Sequence, residues 1–126
     1  MGVVAVALAA CRLTAVPMRE SISPPPTLSM QEVEAGILQA LAPPSLWTLD
    51  AREPATVYAT RIEGTQALRV AIDYSTYRVT LRIVAARDLD FTGVRIDRRA
   101  LEWVDQLDEQ VRVGLGARSE TAAHHW

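Results

Sequence analysis

One cysteine, two histidines and no lysine restrict the side-chain chemistry open to this chain of 126 residues. His124 and His125 adjoin the final Trp126, outside any expected element. Two imidazoles fall short of the four ligands a structural zinc takes, and no cysteine pair exists to complete the set. Catalysis by a serine triad needs a histidine base within the fold; none lies there, and no G-x-S-x-G occurs. Asp88 and Asp90, on either side of Leu89, come nearest to a paired general acid and base. In the run Arg87-Asp88-Leu89-Asp90 they read instead as a solvated turn. The glycines are scattered and form no phosphate-cradling loop. The expectation is therefore a protein that is not an enzyme and holds no metal or cofactor. Cys11 stands apart, because a lone thiol cannot close an internal disulfide yet is the strongest side-chain nucleophile present.

The surroundings of Cys11 give that nucleophile a context. Gly2 to Ala10 is an unbroken apolar run of nine residues, ended by Cys11 and Arg12. Such a run is far short of the roughly 20 residues that span a bilayer as a helix. It matches the apolar region of a signal peptide, about 7–15 residues long, although only Met1 and Gly2 precede it and the usual positive opening is missing. Leu8-Ala9-Ala10-Cys11 resembles the bacterial lipobox. That resemblance implies acylation of Cys11 through a thioether, removal of residues 1–10, and a membrane partner reached through the lipid. Arg12 in place of aspartate after the cysteine implies an outer-membrane protein facing the periplasm.

Residues 11–28 carry four prolines, including Pro24-Pro25-Pro26, and no sustained hydrophobic period. They are expected to form a flexible tether whose reach, at about 3.1 Å per residue in polyproline II, is at most roughly 55 Å.

The remaining residues, 29–118, should form one domain, with 119–126 as a disordered tail. Ser29 and Glu32 have the spacing of a capping box, and Val33, Ile37, Leu38 and Leu41 recur at helical intervals until Pro43-Pro44 forbids continuation. A helix is expected over 30–42, with Gly36 marking a close approach to a neighbour. Trp47-Thr48-Leu49 reads as a short extended piece. From Ala55 the period becomes two, giving strands over 55–62, 68–74 and 77–83, with Glu63-Gly64-Thr65-Gln66 as the first turn. Pairing Asp73 with Arg78, Ile72 with Val79, Val70 with Leu81 and Leu68 with Ile83 puts every apolar side chain on one face, and sets Arg69 opposite Arg82. Asp97 should cap a last helix with Leu101, Val104, Leu107, Val111 and Leu115 inward and Glu102, Asp105, Asp108, Glu109 and Arg112 outward. The order predicts a two-layer α+β fold: helix, three-stranded antiparallel meander, helix, with both helices on one face of the sheet.

That arrangement leaves one sheet face in solvent, carrying Tyr58, Arg69 and Arg82. All thirteen basic residues are arginines and the net charge is −2. The acidic balance, and Asp73 within the patch, remove the electrostatic footprint of a nucleic-acid binder. Tyr74 and Tyr77 at a hairpin tip, and Trp103 at a helix margin, are the candidate anchors for a protein partner.

The stretch from Val33 to Val111 resembles a group of small uncharacterised lipoproteins of Gram-negative bacteria. Their I-x-x-A-L helix motif is met by Ile37, Ala40 and Leu41 with Trp47 following, their central I-x-Y by Ile72 and Tyr74, and their last-helix motif by Ile96 and Trp103. Asp97 stands where that family has histidine, and Ala100 and Leu101 replace its tyrosine and asparagine. The resemblance implies no reaction. The expectation is a lipid-anchored module of the cell envelope that contacts an envelope protein or the cell wall. A small-molecule or lipid-binding module and a soluble cytoplasmic regulatory domain are the alternatives.

Overall fold

The Ser29 capping box closes as its spacing requires. In the computed structural model, which describes residues 13–15, 21–93 and 95–123, Ser29 Oγ accepts from the Glu32 amide at 3.2 Å and Glu32 Oε1 accepts from the Ser29 amide at 3.1 Å. Helix α1 (Met30–Leu41) starts there and buries Val33, Gly36, Ile37, Ala40 and Leu41 along one side. It ends at Ala42, whose backbone is extended because a proline follows.

Four strands then form one antiparallel meander: β2 (Thr48–Glu53), β3 (Thr56–Glu63), β4 (Gln66–Tyr74) and β5 (Val79–Arg87), in that spatial order. The expectation of three strands missed β2, the continuation of the short piece after Trp47. β2 is an edge strand with a register irregularity at Asp50, and all but Ala51 of its residues are exposed, so it carries no hydrophobic alternation to read. Trp47, just before it, is fully buried.

The hairpin between β4 and β5 differs from the expected register by two residues. Tyr74 pairs with Val79, Ile72 with Leu81 and Val70 with Ile83; past an irregularity, Arg69 lies opposite Ala85. A shift of two preserves which face each side chain takes, so the expected apolar face stands while its partners change. The loop is Ser75–Arg78. Ser75 Oγ accepts from the amides of Tyr77 and Arg78, each at 3.1 Å, and the Ser75 amide donates to the Arg78 carbonyl at 2.9 Å. Those bonds place the turn one residue further along the chain than the apolar pattern alone suggests, and they separate Arg69 from Arg82.

After β5 the chain forms β6 (Arg95–Asp97) and helix α2 (Arg98–Ala123). Asp97 Oδ1 accepts from the Arg99 amide at 2.9 Å, as an N-cap does. α2 continues five residues past Arg118, where a tail was expected, because nothing after Gly116 breaks a helix. Its buried side includes Ala100, Trp103, Val104, Leu107, Val111 and Leu115, and also Asp108, which was expected to face outward. Both helices cover the same sheet face. α1 reaches it through Glu34, which accepts from Arg52 of β2 and Tyr74 of β4; α2 reaches it through Trp103 and Gln106, which meet Arg61 of β3. The helices meet each other at Gly36 and Gly114: a Cβ added at Gly114 would lie 2.3 Å from the Gly36 carbonyl oxygen.

The segment before α1 is not the free tether expected over 11–28. Strand β1 (Leu13–Ala15) pairs antiparallel with β6, Leu13 opposite Asp97. Ile22 exchanges two 2.8 Å backbone hydrogen bonds with Val79 at the edge of β5. Ile22 and Leu28 are both buried in the main core. Two isolated apolar residues make no period, so the segment reads as a linker although it supplies core side chains. Cys11 and the His124-His125 pair lie outside the described residues.

Candidate functional site

The face of the sheet turned away from the helices is built from alternate residues of four strands, and its charges come in opposite pairs. Arg69 Nε lies 2.6 Å from Asp50 Oδ2, and Thr60 donates to the same carboxylate at 3.3 Å. The Arg69 guanidinium also sits over the Tyr58 ring, 4.4 Å from its centroid. The Tyr58 hydroxyl donates to Glu53 at 3.3 Å. Arg82 donates to both oxygens of Asp73, at 2.7 and 3.3 Å, and Thr56 donates to Asp73 at 2.8 Å. Ala71 pairs with both Tyr58 and Arg82 and is fully buried between them, although it belongs to the solvated face.

The β2 irregularity at Asp50 makes this layer possible, since the extra residue lets its carboxylate reach Arg69 on β4 across β3. Partial burial alone pushes the Asp73 carboxyl up; the hydrogen bonds from Arg82 and Thr56 together outweigh that and hold it below its ordinary range. Tyr58, Arg69 and Arg82, expected as an arginine and aromatic patch, are thus brought together, but as an ion-paired layer. The expected clash of Arg69 with Arg82 does not arise, because each has its own aspartate.

The two hairpin tyrosines part company. Tyr77 is 86% exposed, the most exposed large apolar side chain described. It stands on the four-residue loop fixed by the Ser75 hydroxyl, beside an open groove of about 530 Å³ bounded by Thr56, Asp73, Arg78 and Thr80. Tyr74 turns inward. Its hydroxyl donates a short hydrogen bond to Glu34, and its pKa is pushed up to about 12, first by burial and then by that carboxylate. Trp103, expected at a helix margin, is 4% exposed. Its ring carries the Arg61 guanidinium 4.4 Å from the centroid. Arg61 donates to Gln106 at 2.8 Å and to Glu63 at 3.2 Å, and is itself 8% exposed. Tyr74 and Trp103 are thus both buried, and Tyr74 contributes to the wall of the groove beside Tyr77 rather than standing exposed as Tyr77 does.

Arg61 is a residue whose burial the sequence pattern does not announce. It shares the parity of Val57 and Ala59, so its inward direction was readable, but an arginine on an apolar face is unexpected without knowledge of Trp103 opposite. Asp88 and Asp90 project into solvent while Leu89 between them is buried, the geometry of a turn. Among the described residues no three histidine, cysteine, aspartate or glutamate side chains are placed to hold a metal ion, and no helix is long and apolar enough to cross a membrane. Compared with known proteins, the chain matches no family model, no curated protein and no solved structure.

Proposed function

We propose that this chain is a non-enzymatic interaction module of the cell envelope, anchored to a membrane by a lipid on Cys11 and contacting an envelope protein or the cell wall through its β4–β5 hairpin tip. The observation that carries the contact surface is Tyr77, 86% exposed on a loop whose backbone is already fixed by its own hydrogen bonds. A loop whose backbone is already fixed loses little freedom on binding, and tyrosine, with only two side-chain torsions to order, often serves as an interface anchor. Arg78 beside it and the Asp73–Arg82 pair along the groove supply polar groups for a rim. The anchor rests on Leu8-Ala9-Ala10-Cys11 and on the apolar run before it.

Both halves of the reading are open to measurement. A photo-crosslinking residue at position 76 in living cells should trap a defined envelope component. Once that component is purified, Tyr77→Ala should weaken binding by about 10–30-fold, the loss of an anchor residue, at unchanged melting temperature. Equal affinity for the variant would overturn the contact surface. Intact-mass analysis should find an acylated chain beginning at Cys11 in membranes, and Cys11→Ala should release a folded domain. An unmodified chain beginning at Met1 in the soluble fraction would sink the anchor.

A second reading, small-molecule binding, is favoured by an open groove of about 450 Å³ where the end of α1 faces α2. Gln39, Glu109 and Gln110 give it acceptor groups, and Pro43, Pro44 and Val113 give it apolar wall.

A further inference from the structure

We infer that the end of the domain where β6 runs into α2 rests against a membrane, with Arg87, Arg95, Arg98 and Arg99 bound to the phosphates of anionic phospholipids; the inference rests on the lipid anchor at Cys11 proposed above. Two independent observations meet at this end. The first is distance. Leu13 pairs with Asp97, and Cys11 lies two residues earlier, so at most about 7 Å of chain separates it from the paired strand whatever its conformation. Paired strands are about 5 Å apart, so the thioether begins within roughly 12 Å of the Asp97 backbone. A lipid at Cys11 therefore leaves no stalk and puts the β6–α2 corner at the bilayer.

The second observation is how the arginines are shared out. Elsewhere, Arg52 pairs with Glu34, Arg61 with Glu63, Arg69 with Asp50, Arg82 with Asp73 and Arg112 with Asp108, while Arg78 and Arg118 stand singly, without an ion pair among the described residues. At the β6–α2 end, Arg87, Arg95, Arg98 and Arg99 are all exposed and none is ion-paired among the described residues, so four of the six described arginines without a carboxylate partner gather at this one end. Two of them converge on the β3–β4 turn through neutral acceptors: Arg87 donates to the Thr65 carbonyl at 3.2 Å and Arg99 to the Gln66 side chain at 2.8 Å. Asp97 is occupied as the helix cap, while Asp88 and Asp90 are exposed nearby. Glu63 on the β3–β4 turn is engaged by Arg61, and exposed Glu102 lies one turn into α2. With Asp97 capping the helix, four unpaired arginines thus face three carboxylates without an ion pair among the described residues, Asp88, Asp90 and Glu102; Arg12, next to Cys11 in the sequence, adds a fifth cation. Guanidinium groups bind phosphate oxygens in pairs of hydrogen bonds, and each basic residue near an anionic surface adds to the attraction.

The polarity of the fold agrees. β4 runs from Gln66, held by Arg99, to Tyr74 at the base of the hairpin. Its eight steps of about 3.3 Å place the Tyr77 loop roughly 26 Å from the arginine end, directed away from the bilayer.

The test couples the full chain through its only thiol to maleimide lipids in vesicles of phosphatidylcholine, with or without phosphatidylglycerol, and follows hydrogen exchange. Segments 87–93 and 95–99 should be protected on the mixed vesicles and not on phosphatidylcholine alone, with the 75–78 loop unchanged on both. The triple variant Arg95→Gln, Arg98→Gln, Arg99→Gln should lose that protection. In the uncoupled Cys11→Ser chain, affinity for the mixed vesicles should fall about fivefold per arginine replaced. Equal protection on both vesicles, protection at the 75–78 loop instead, or full protection in the triple variant would overturn the inference. Because the coupling is chemical, this outcome is independent of acylation in cells, which intact mass decides separately.

Discussion

Tyr74 and Tyr77 are three residues apart in one hairpin and have opposite fates, decided by strand parity and by what lies across the sheet. Tyr74 is the last residue of β4 on the helix side, where Glu34 of α1 accepts its hydroxyl. Unfolded, such a phenol loses its proton near pH 10; folded, it holds the proton to about pH 12. Its contribution to stability is therefore complete below pH 10 and disappears as pH rises from 10 to 12, where the unfolded chain alone is ionised. No lysine exists to titrate in the same window. Tyr74→Phe should flatten the alkaline fall in stability between those values and remove the tyrosinate absorbance step near pH 12. A step that survives the substitution would contradict the burial of Tyr74. At neutral pH the variant should cost about 1 kcal/mol for the lost hydrogen bond, measured by urea unfolding.

At the scale of elements, the contact between α1 and α2 depends on two glycines that see different surroundings from their neighbour Gly116. A methyl at Gly114 would meet the Gly36 carbonyl oxygen at 2.3 Å, so the helices must separate; around Gly116 there is open space. Gly114→Ala should lower stability by about 1–3 kcal/mol despite the better helix propensity of alanine. Gly116→Ala should raise it by roughly 0.5–1 kcal/mol. Melting temperatures moving in opposite directions for two chemically identical substitutions two residues apart would verify the crossing point. Gly36 was expected to mark a close approach from its position inside an amphipathic helix. That Gly114 is its partner, and Gly116 is not, depends on how the two helices cross. The same limit explains β2: its pairing to β3 is set by a neighbour, whereas α1 and β3 to β5 carry apolar periods of their own.

For the molecule as a whole, the docked N-terminal segment changes what an anchor at Cys11 would do. A free tether would let the domain roam tens of ångströms from a membrane, whereas pairing of Leu13 with Asp97 and of Ile22 with Val79 straps the segment along the body. Ile22 and Leu28 are then core residues, and Ile22→Ala should cost about 2–4 kcal/mol. A chain in which 11–28 is a loose linker would show almost no change, so one denaturation curve separates the two descriptions. The body has two distinct ends, four unpaired arginines gathered where β6 meets α2, and the exposed Tyr77 with Arg78 at the hairpin tip.

Local patterns determined much of this protein unaided. The capping box at Ser29, the stop at Pro43, the alternation in β3 to β5 and the stripe in α2 each arise from neighbours within a few residues, so the α+β order and the apolar face were legible in the chain. Cys11 and its apolar run were equally legible, being contiguous. Only the tertiary structure decided the rest, because each point depended on partners distant in sequence. The hydroxyl of Ser75 set the hairpin register; Asp50, displaced by a bulge, neutralised Arg69; Trp103 gave Arg61 a place inside; and β6 captured a segment that carries no pattern of its own. Burial and pairing are properties of two surfaces at once, and a single stretch of sequence specifies only one of them.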